Sequence, residues 1–317
     1  MKKAIVIIMA LLLLVTELVS CGARGGDDGR LNIVCTIFPE YDWVKNITEG
    51  ADGVDVTLLI DNGVDLHNFQ PSVRDMAIIS TCDVFVYAGG ESFKWVDDAL
   101  ARAANKEMTV ISLLDLAGDR ALDEDVAEGM QADDEEEEEC YDEHVWLSLK
   151  NAAYICPVIA EKLCEKDAAN AAKYRENCAS YVDKINALDV RYESAVSSAG
   201  SDYILVADRF PFLYTVRDYG IEYSAAFSGC SAETEASFET VAFLADKVRE
   251  KALKYVIVTE SSDKRIAETV ISESKVSGCG ILVMNSIQAV TRAEINSGAT
   301  YLSLMTSNLE TLKSALG

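Results

Sequence analysis

The sequence predicts an α/β protein with two lobes, each built on a parallel sheet, joined by one long rigid helix. The chain has 317 residues, half of them apolar, and this length suits two domains better than one small core. Short apolar runs alternate with amphipathic stretches, which is typical of parallel sheets covered by helices. Between the two halves, residues 167–199 contain neither Gly nor Pro and favour an unbroken helix.

Residues 1–20 are predicted to be a signal peptide, followed by a flexible tether over residues 21–30. Two lysines precede an apolar run that is too short to span a bilayer comfortably. The run ends in Leu-Val-Ser-Cys, which resembles the lipobox of bacterial lipoproteins and implies cleavage before Cys21, with a diacylglycerol on its sulfur. The alternatives are a secretory signal that happens to precede a cysteine, or an uncleaved anchor. The Gly-rich segment after Cys21 indicates a tether between the lipid and the folded domain.

Residues 31–166 are predicted to form the N-terminal lobe, and residues 200–317 the C-terminal lobe. Each lobe contains apolar runs of strand length separated by helical patterns. The predicted strands of the first lobe are Leu31–Phe38, Val54–Ile60, Asp83–Ala88 and Thr109–Leu113, and those of the second lobe are Asp202–Ala207, Tyr255–Thr259 and Ile281–Met284.

The linker helix predicted over residues 167–199 carries apolar or aromatic residues at steps of three and four, which mark one buried face of a helix. These residues are Tyr174, Cys178, Tyr181, Ile185, Leu188, Tyr192 and Val196. At the rise of an α-helix the rod is roughly 45 Å long, about the width of a two-lobed protein. A rod of that length is expected to limit how far the lobes can move apart.

The formal net charge is −25 at pH 7, which repels nucleic acid and raises the local concentration of cations. No nucleic-acid partner is therefore expected. Seven consecutive acidic residues, 133–139, lie in a predicted loop over residues 118–141 and should stay solvated. This acidic run could concentrate cations near the histidine that follows it, or it could serve only as a solvated linker.

The candidate metal-binding residues are the only two histidines of the chain, His67 and His144. Both lie in loops at the edges of α/β units, where ligand sites concentrate. Isolated histidines are more often surface or hydrogen-bonded residues, so the pattern alone leaves both interpretations open. The nine cysteines contain no CxxC pair, which excludes a zinc ribbon. Several of them are interpreted as small buried hydrophobes.

Segments along nearly the whole mature chain resemble the zinc- and manganese-binding proteins of ABC importers. They are Phe38-Pro39 with Tyr41, GVDLHNFQPS (63–72), DEHVWLS (142–148), SAETEAS (231–237), Glu260-Ser-Ser, GATYLSLM (298–305) and Asn308-Leu-Glu. The resemblance implies two doubly wound α/β lobes joined by a long helix, with the metal in the cleft between them. It also implies that His67 and His144 are the first two ligands, and neutral imidazole suits Zn²⁺ and also accepts Mn²⁺.

The function that the resemblance implies is metal capture without catalysis. Proteins of this family bind Zn²⁺, or alternatively Mn²⁺, and deliver it to a membrane permease powered by an ATPase. By the same resemblance, this chain is expected to be a monomer on the outer face of the bacterial cytoplasmic membrane, held there by the lipid on Cys21.

The chain departs from the family pattern at the ligands of the second lobe. The usual third ligand, His or Glu, aligns with Arg209, which cannot coordinate a cation, and the usual fourth, often Asp, aligns with Asn285. Asp208 and Glu260 are therefore predicted as substitute ligands, with a salt bridge or a helix cap as the alternative role. Two imidazoles with one or two carboxylates favour Zn²⁺ over Mn²⁺. Metal affinity is expected to fall below about pH 6.5, where imidazole becomes protonated.

Two alternative functions stay open, a metal-dependent hydrolase and a surface adhesin of the same fold. Two histidines and a carboxylate with an open coordination position could activate water. Against an enzyme, the sequence contains no HExxH motif, GxSxG elbow or Walker lysine loop. An adhesin requires an exposed apolar or aromatic patch, which a sequence cannot reveal.

Overall fold

The computed structural model describes residues 29–131, 141–231 and 235–317. The predicted signal peptide, Cys21, most of the tether and the acidic run 133–139 lie outside the described residues. Within the described part of the chain, no helix combines the length and the apolarity that crossing a bilayer requires.

The first lobe contains the strands β1 (Leu31–Cys35), β2 (Val54–Leu58), β3 (Val84–Tyr87) and β4 (Thr109–Ser112), and the helices α1 (Phe38–Ile47), α2 (Val73–Thr81), α3 (Trp95–Arg102) and α4 (Leu113–Ala117). The four strands are parallel, in the order β2-β1-β3-β4. The order reverses between β1 and β3, and such a reversal opens a crevice at the carboxyl ends of the strands.

The second lobe contains the strands β5 (Tyr203–Arg209), β6 (Glu222–Phe227), β7 (Tyr255–Thr259) and β8 (Gly280–Met284). Their order, β6-β5-β7-β8, repeats the arrangement of the first sheet, again with parallel strands. The sequence did not predict β6, because its Ser and Ala residues give a weak strand signal. Alternate residues of β5 contact opposite sides of the sheet, so that Tyr203, Leu205 and Ala207 join an apolar cluster with later helices of this lobe.

Two long helices lie between the sheets in the chain, and they are numbered α5 (Leu149–Lys166) and α6 (Ala171–Ser197). The helices that follow are α7 (Leu213–Tyr219), α8 (Phe238–Glu250), α9 (Arg265–Ser274), α10 (Arg292–Asn296) and α11 (Tyr301–Leu316). The predicted fold class, two parallel α/β lobes joined by a long helix, is confirmed. The exact boundaries drawn for the lobes stay a prediction.

Helix α6 is bonded to both lobes. It has 27 residues, which gives a length of about 40 Å. The Tyr181 hydroxyl donates a hydrogen bond to Asp42 Oδ2 of α1 at 2.9 Å, and the Tyr192 hydroxyl donates one to the Met305 carbonyl of α11 at 2.5 Å. Its buried face belongs to an apolar core that continues from the first sheet into the second lobe. This shared core opposes movement of the lobes past each other.

The segment 142–148, which carries His144, is hydrogen-bonded to the second lobe at several points. Trp146 Nε1 donates to the Ser286 carbonyl at 2.8 Å, and the Tyr301 hydroxyl donates to the Trp146 carbonyl at 2.6 Å. The Tyr214 hydroxyl donates to the Asp142 carbonyl at 2.8 Å. Each such bond contributes about 1 kcal/mol net, and together they fix the backbone that positions His144.

Candidate metal centre

His67 lies in a single 3₁₀ turn, Leu66–Asn68, that follows β2. Asp65 begins this turn, since its carboxylate accepts the backbone N–H of His67 at 3.0 Å. The same oxygen lies 2.6 Å from His67 Nδ1. In the neutral ring, Asp65 therefore holds the proton on Nδ1, and the lone pair of Nε2 becomes available to a metal, as in the carboxylate–histidine–metal arrangement of metal sites.

His144 has the same local arrangement. Asp142 Oδ1 accepts the backbone N–H of His144 at 2.8 Å and lies 3.0 Å from its Nδ1. The side chain is fully buried, and its Nε2 has no hydrogen-bond partner among the described residues. Both histidines thus belong to an Asp-x-His turn, a repeated signal that can be seen in the sequence at residues 65–67 and 142–144.

The two imidazole rings lie side by side, with ring centroids 5.4 Å apart and planes at 40°. Both Nε2 atoms are buried: that of His144 has no partner among the described residues, whereas that of His67 lies 3.0 Å from a carboxylate oxygen of Glu143. The two turns are distant in the chain, and the fold brings their rings together. Two neighbouring buried imidazole nitrogens, one of them unpaired and the other beside a carboxylate, form a suitable site for a cation.

Glu143 precedes His144 in the chain and contacts His67, and sequence reasoning did not identify it. Its side chain is fully buried, and its Oε1 lies 3.0 Å from His67 Nε2. The hydroxyl of Ser92 donates to the same carboxylate. The loop before Ser92 approaches so closely that a Cβ on Gly90 would lie 2.6 Å from Glu143 Oε2. Gly90 also has a φ of +90°, so only glycine fits there.

Cys230 is the second residue that sequence reasoning missed. It follows β6, and its thiol forms a group with His67 and Glu143 in which one ligand atom of each lies within 4.8 Å of the others. The loop is held by Glu124, whose Oε1 accepts the Cys230 N–H at 2.8 Å. Next to it, a Cβ on Gly229 would lie 3.2 Å from the His144 ring. The loop therefore packs directly against the histidines.

Asp208 and Glu260 lie at the carboxyl ends of β5 and β7, with their carboxylates hydrogen-bonded inside the second lobe. Asp208 Oδ2 accepts from Thr259 N at 3.2 Å and from Thr259 Oγ1 at 2.8 Å. Glu260 accepts from Ser286 N at 2.8 Å and from Ser286 Oγ at 2.6 Å. A cavity of about 260 Å³ borders Asp208, and its lining includes neither histidine. The ligand roles of Asp208 and Glu260 stay predictions.

Arg209 and Asn285, which occupy the family's usual ligand positions, have other partners. The Arg209 guanidinium donates to Asp65 Oδ2 at 2.6 Å, on the carboxylate that orients His67. Asn285 Oδ1 accepts the backbone N–H of Ile287 at 2.7 Å. Arg209 thus extends from the second lobe to Asp65, and it fixes the carboxylate that orients His67.

The charges around His67 shift several pKa values. Burial disfavours the imidazolium, but the hydrogen bonds and negative charges of Asp65 and Glu143 outweigh it and raise the pKa of His67 to about 9. Burial opposes ionisation of Asp65, but His67 and Arg209 lower its pKa well below the usual range. Burial, with help from the neighbouring carboxylate of Glu143, raises the pKa of the Cys230 thiol. At neutral pH a metal must therefore displace a proton from His67.

Residues 33–315 match the model of the family described as ZnuA, zinc-uptake complex component A, periplasmic. The chain belongs to the ZnuA family. The resemblance inferred from the sequence motifs is confirmed, because the match extends over both lobes and the helix between them.

Relatives of this ZnuA-family chain include the zinc-binding lipoprotein AdcA of Streptococcus pneumoniae, which is 30% identical over 317 residues, or 99% of this chain and 61% of AdcA. The chain thus spans less than two thirds of the length of the AdcA relatives. The high-affinity zinc uptake system protein ZnuA of Bacillus subtilis is 27% identical, over 98% of this chain and 96% of that protein.

Solved structures share the fold over nearly all of the described chain. The Zn(II)-bound ZnuA-like domain of S. pneumoniae AdcA is 28% identical and gives a TM-score of 0.72, over 91% of this chain and 99% of that domain. The metal-dependent lipoprotein YcdH of B. subtilis is 26% identical and gives 0.73, over 91% and 100%. The laminin-binding adhesin of Streptococcus agalactiae, 22% identical with a TM-score of 0.73 over 90% of this chain and 100% of the adhesin, shares the fold alone.

Proposed function

We propose that this protein captures Zn²⁺ outside the cytoplasm and delivers it to the permease and ATPase of an ABC importer. The observation that carries the proposal is the pair of neighbouring imidazole rings, with centroids 5.4 Å apart and both Nε2 atoms buried. Nε2 of His144 has no hydrogen-bond partner among the described residues, and Nε2 of His67 lies 3.0 Å from the Glu143 carboxylate. A buried polar atom without a partner costs about 1–3 kcal/mol. A cation bound to His144 Nε2 removes this cost.

Zinc is favoured over manganese by the chemistry of the donors and by the relatives. Imidazole nitrogen is a preferred ligand of Zn²⁺, whereas Mn²⁺ prefers more oxygen ligands. Membership in a family of zinc-uptake components supports the same ion, as do the names of the AdcA and ZnuA relatives and the Zn(II)-bound AdcA domain.

In the proposed mechanism the protein binds and releases the ion without chemical catalysis. His67 and His144 bind through Nε2, while Asp65 and Asp142 hold the rings in the tautomer that leaves those atoms free. Whether Asp208 and Glu260 complete the shell, as the sequence predicts, is tested by substitution. Because α6 and the segment 142–148 are bonded to both lobes, the change in shape on binding is expected to be small. The lipid proposed on Cys21 keeps the protein beside its permease.

The test is the zinc affinity of the purified protein, measured by competition with a chromophoric chelator. His67→Ala removes one of about four ligands and should weaken zinc binding by at least about 100-fold. The control is Asn68→Ala, at the exposed neighbouring position, which should leave the affinity unchanged. A melting curve of the metal-free His67→Ala protein verifies that it is folded. Unchanged zinc affinity in the folded variant would refute the proposal.

A further inference from the structure

The second lobe of this chain lacks the histidine that its family usually provides as the third ligand. Arg209 stands at that position, and its guanidinium carries no lone pair for a cation at physiological pH. The structure gives Arg209 a different role, since it pairs with Asp65 at 2.6 Å. Two imidazoles alone leave a Zn²⁺ ion with an incomplete shell, so other side chains must supply the remaining donors.

We propose that Cys230 and Glu143 complete the coordination shell with His67 and His144, which makes the site a thiolate-containing one that prefers Zn²⁺ to Mn²⁺. This inference rests on the proposed function, because it assumes that the two histidines bind the ion.

The distances among three of the four donor atoms support this set. One ligand atom each of His67, Glu143 and Cys230 lies within 4.8 Å of the others. Around a tetrahedral Zn²⁺ with bonds of about 2.0–2.3 Å, neighbouring donor atoms are about 3.3–3.8 Å apart. The three donors therefore need to approach one another by about 1.5 Å at most. Rotation of side chains achieves such a shift without moving the backbone.

The packing of the Cys230 loop supports the same set. Gly229 lies so close to His144 that a Cβ there would come within 3.2 Å of the ring, and within 3.0 Å of the Phe210 carbonyl. A larger residue would displace the loop from the histidines. On the other side, Glu124 accepts the backbone N–H of Cys230. The thiol thus comes from the second lobe, on a loop whose backbone is fixed by packing against His144 and by the hydrogen bond to Glu124.

The balance of charge also favours this shell. A thiolate and a carboxylate with two neutral imidazoles cancel the two positive charges of Zn²⁺, and a neutral complex is the least costly to bury. The nearby pair of Arg209 and Asp65 is neutral by itself. With Glu143 and Cys230 as ligands, the metal and its four ligands together carry no net charge, and the further buried carboxylate, that of Asp142, is hydrogen-bonded by the His144 ring.

A thiolate ligand determines which metal binds. Thiolate is a soft donor that favours Zn²⁺, whereas carboxylate, carbonyl and water suit Mn²⁺. The chain would then discriminate between the two ions through Cys230, at a position that follows β6 and that the usual ligand pattern does not include.

The experiment uses Co²⁺ as a spectroscopic probe of the full protein, because a cysteine thiolate bound to Co²⁺ gives an intense charge-transfer absorption in the near ultraviolet. The wild-type protein should give this band, and Cys230→Ala and Cys230→Ser should lose it. Zinc affinity should fall by about 100-fold in Cys230→Ala. The affinity for Mn²⁺ should fall less, so that the ratio of zinc affinity to manganese affinity decreases. Glu143→Gln should weaken zinc binding but keep the band.

The matched control is Cys279→Ala, a partly buried cysteine of the same lobe, which should keep both the band and the zinc affinity. Absence of the band in the wild-type protein overturns the inference without any substitution, so the test does not depend on how well a variant folds. If the Cys230 variants keep the band and the affinity while His67→Ala loses zinc, the inference fails and the proposed function stands. If His67→Ala also keeps zinc, the proposed function fails.

Discussion

The two lobes present similar edges to each other, but they prepare the site differently. In the first lobe, each histidine follows an Asp two residues earlier, and that carboxylate engages Nδ1 of the ring, so that Nε2 is the nitrogen available to a metal. In the second lobe, the carboxylates of Asp208 and Glu260 accept hydrogen bonds from Thr259 and Ser286. To bind a metal, these two carboxylates would have to give up hydrogen bonds that connect strands of their own sheet, and their ligand roles stay predictions.

The bonds inside the second lobe have a structural role of their own. Asp208, at the end of β5, accepts from Thr259 at the end of β7. Glu260, after β7, accepts from Ser286 beyond β8. These carboxylates connect the carboxyl ends of three strands, so they stabilise the edge from which the Cys230 loop and Arg209 reach the first lobe.

The dependence of zinc affinity on pH should reveal how many protons are released when zinc binds, one from His67 in the first lobe and a second if Cys230 of the second lobe is a ligand. The unperturbed value of imidazole places the loss of affinity below about pH 6.5, but Asp65 and Glu143 raise the pKa of His67 to about 9. Below that pH the ring must lose a proton to bind, so affinity should rise about tenfold per pH unit, or about 100-fold between pH 6 and 8.

The loss of a second proton, from the Cys230 thiol, would steepen the dependence of zinc affinity on pH. If Cys230 binds as a thiolate, its thiol also loses a proton, and the slope becomes about two decades per pH unit. Zinc titrations at several pH values, with Cys230→Ala as the control, distinguish the cases, because the variant should give a slope of about one. An affinity that is constant from pH 6 to 8 contradicts the raised pKa of His67.

An Asp→Asn substitution in each lobe compares two contributions to zinc affinity. One is the orientation of a histidine ring by Asp142, and the other is the carboxylate of Asp208 that is hydrogen-bonded within the second sheet. Asp142→Asn removes the charge that orients His144 and should weaken zinc binding by about 10–100-fold. Asp208→Asn, which changes a carboxylate bonded to Thr259, should weaken it less than about tenfold, with some loss of thermal stability. A loss of zinc affinity of 100-fold or more in Asp208→Asn would support the sequence prediction that Asp208 is a ligand.

The smallest effect is expected from the acidic run 133–139, which precedes the segment that carries His144. Replacing its seven residues by a Gly/Ser segment of equal length removes the charge and keeps the number of residues in the segment. If the run concentrates cations, the rate of zinc association at low ionic strength should fall by up to about tenfold, and the difference should shrink at physiological salt. Stopped-flow traces that are identical for the two proteins indicate a solvated linker.

The sequence alone determined the fold class, the linker helix and the two histidines as candidates. These follow from local patterns, since hydrophobic periodicity specifies strands and helices and since His67 and His144 are the only imidazoles of the chain. The Asp-x-His turns are equally local, and a search for an acidic residue two positions before each histidine would have found Asp65 and Asp142.

Only the tertiary structure brought Glu143 and Cys230 to the same place and gave Arg209 its partner. A buried cysteine after a weak strand has the sequence pattern of a small apolar residue. What distinguishes Cys230 is its approach to Glu143 and His67, which depends on how two sheets are placed against each other. Such placement results from packing among residues that are distant in the chain. A local sequence pattern does not specify which distant side chains will come into contact.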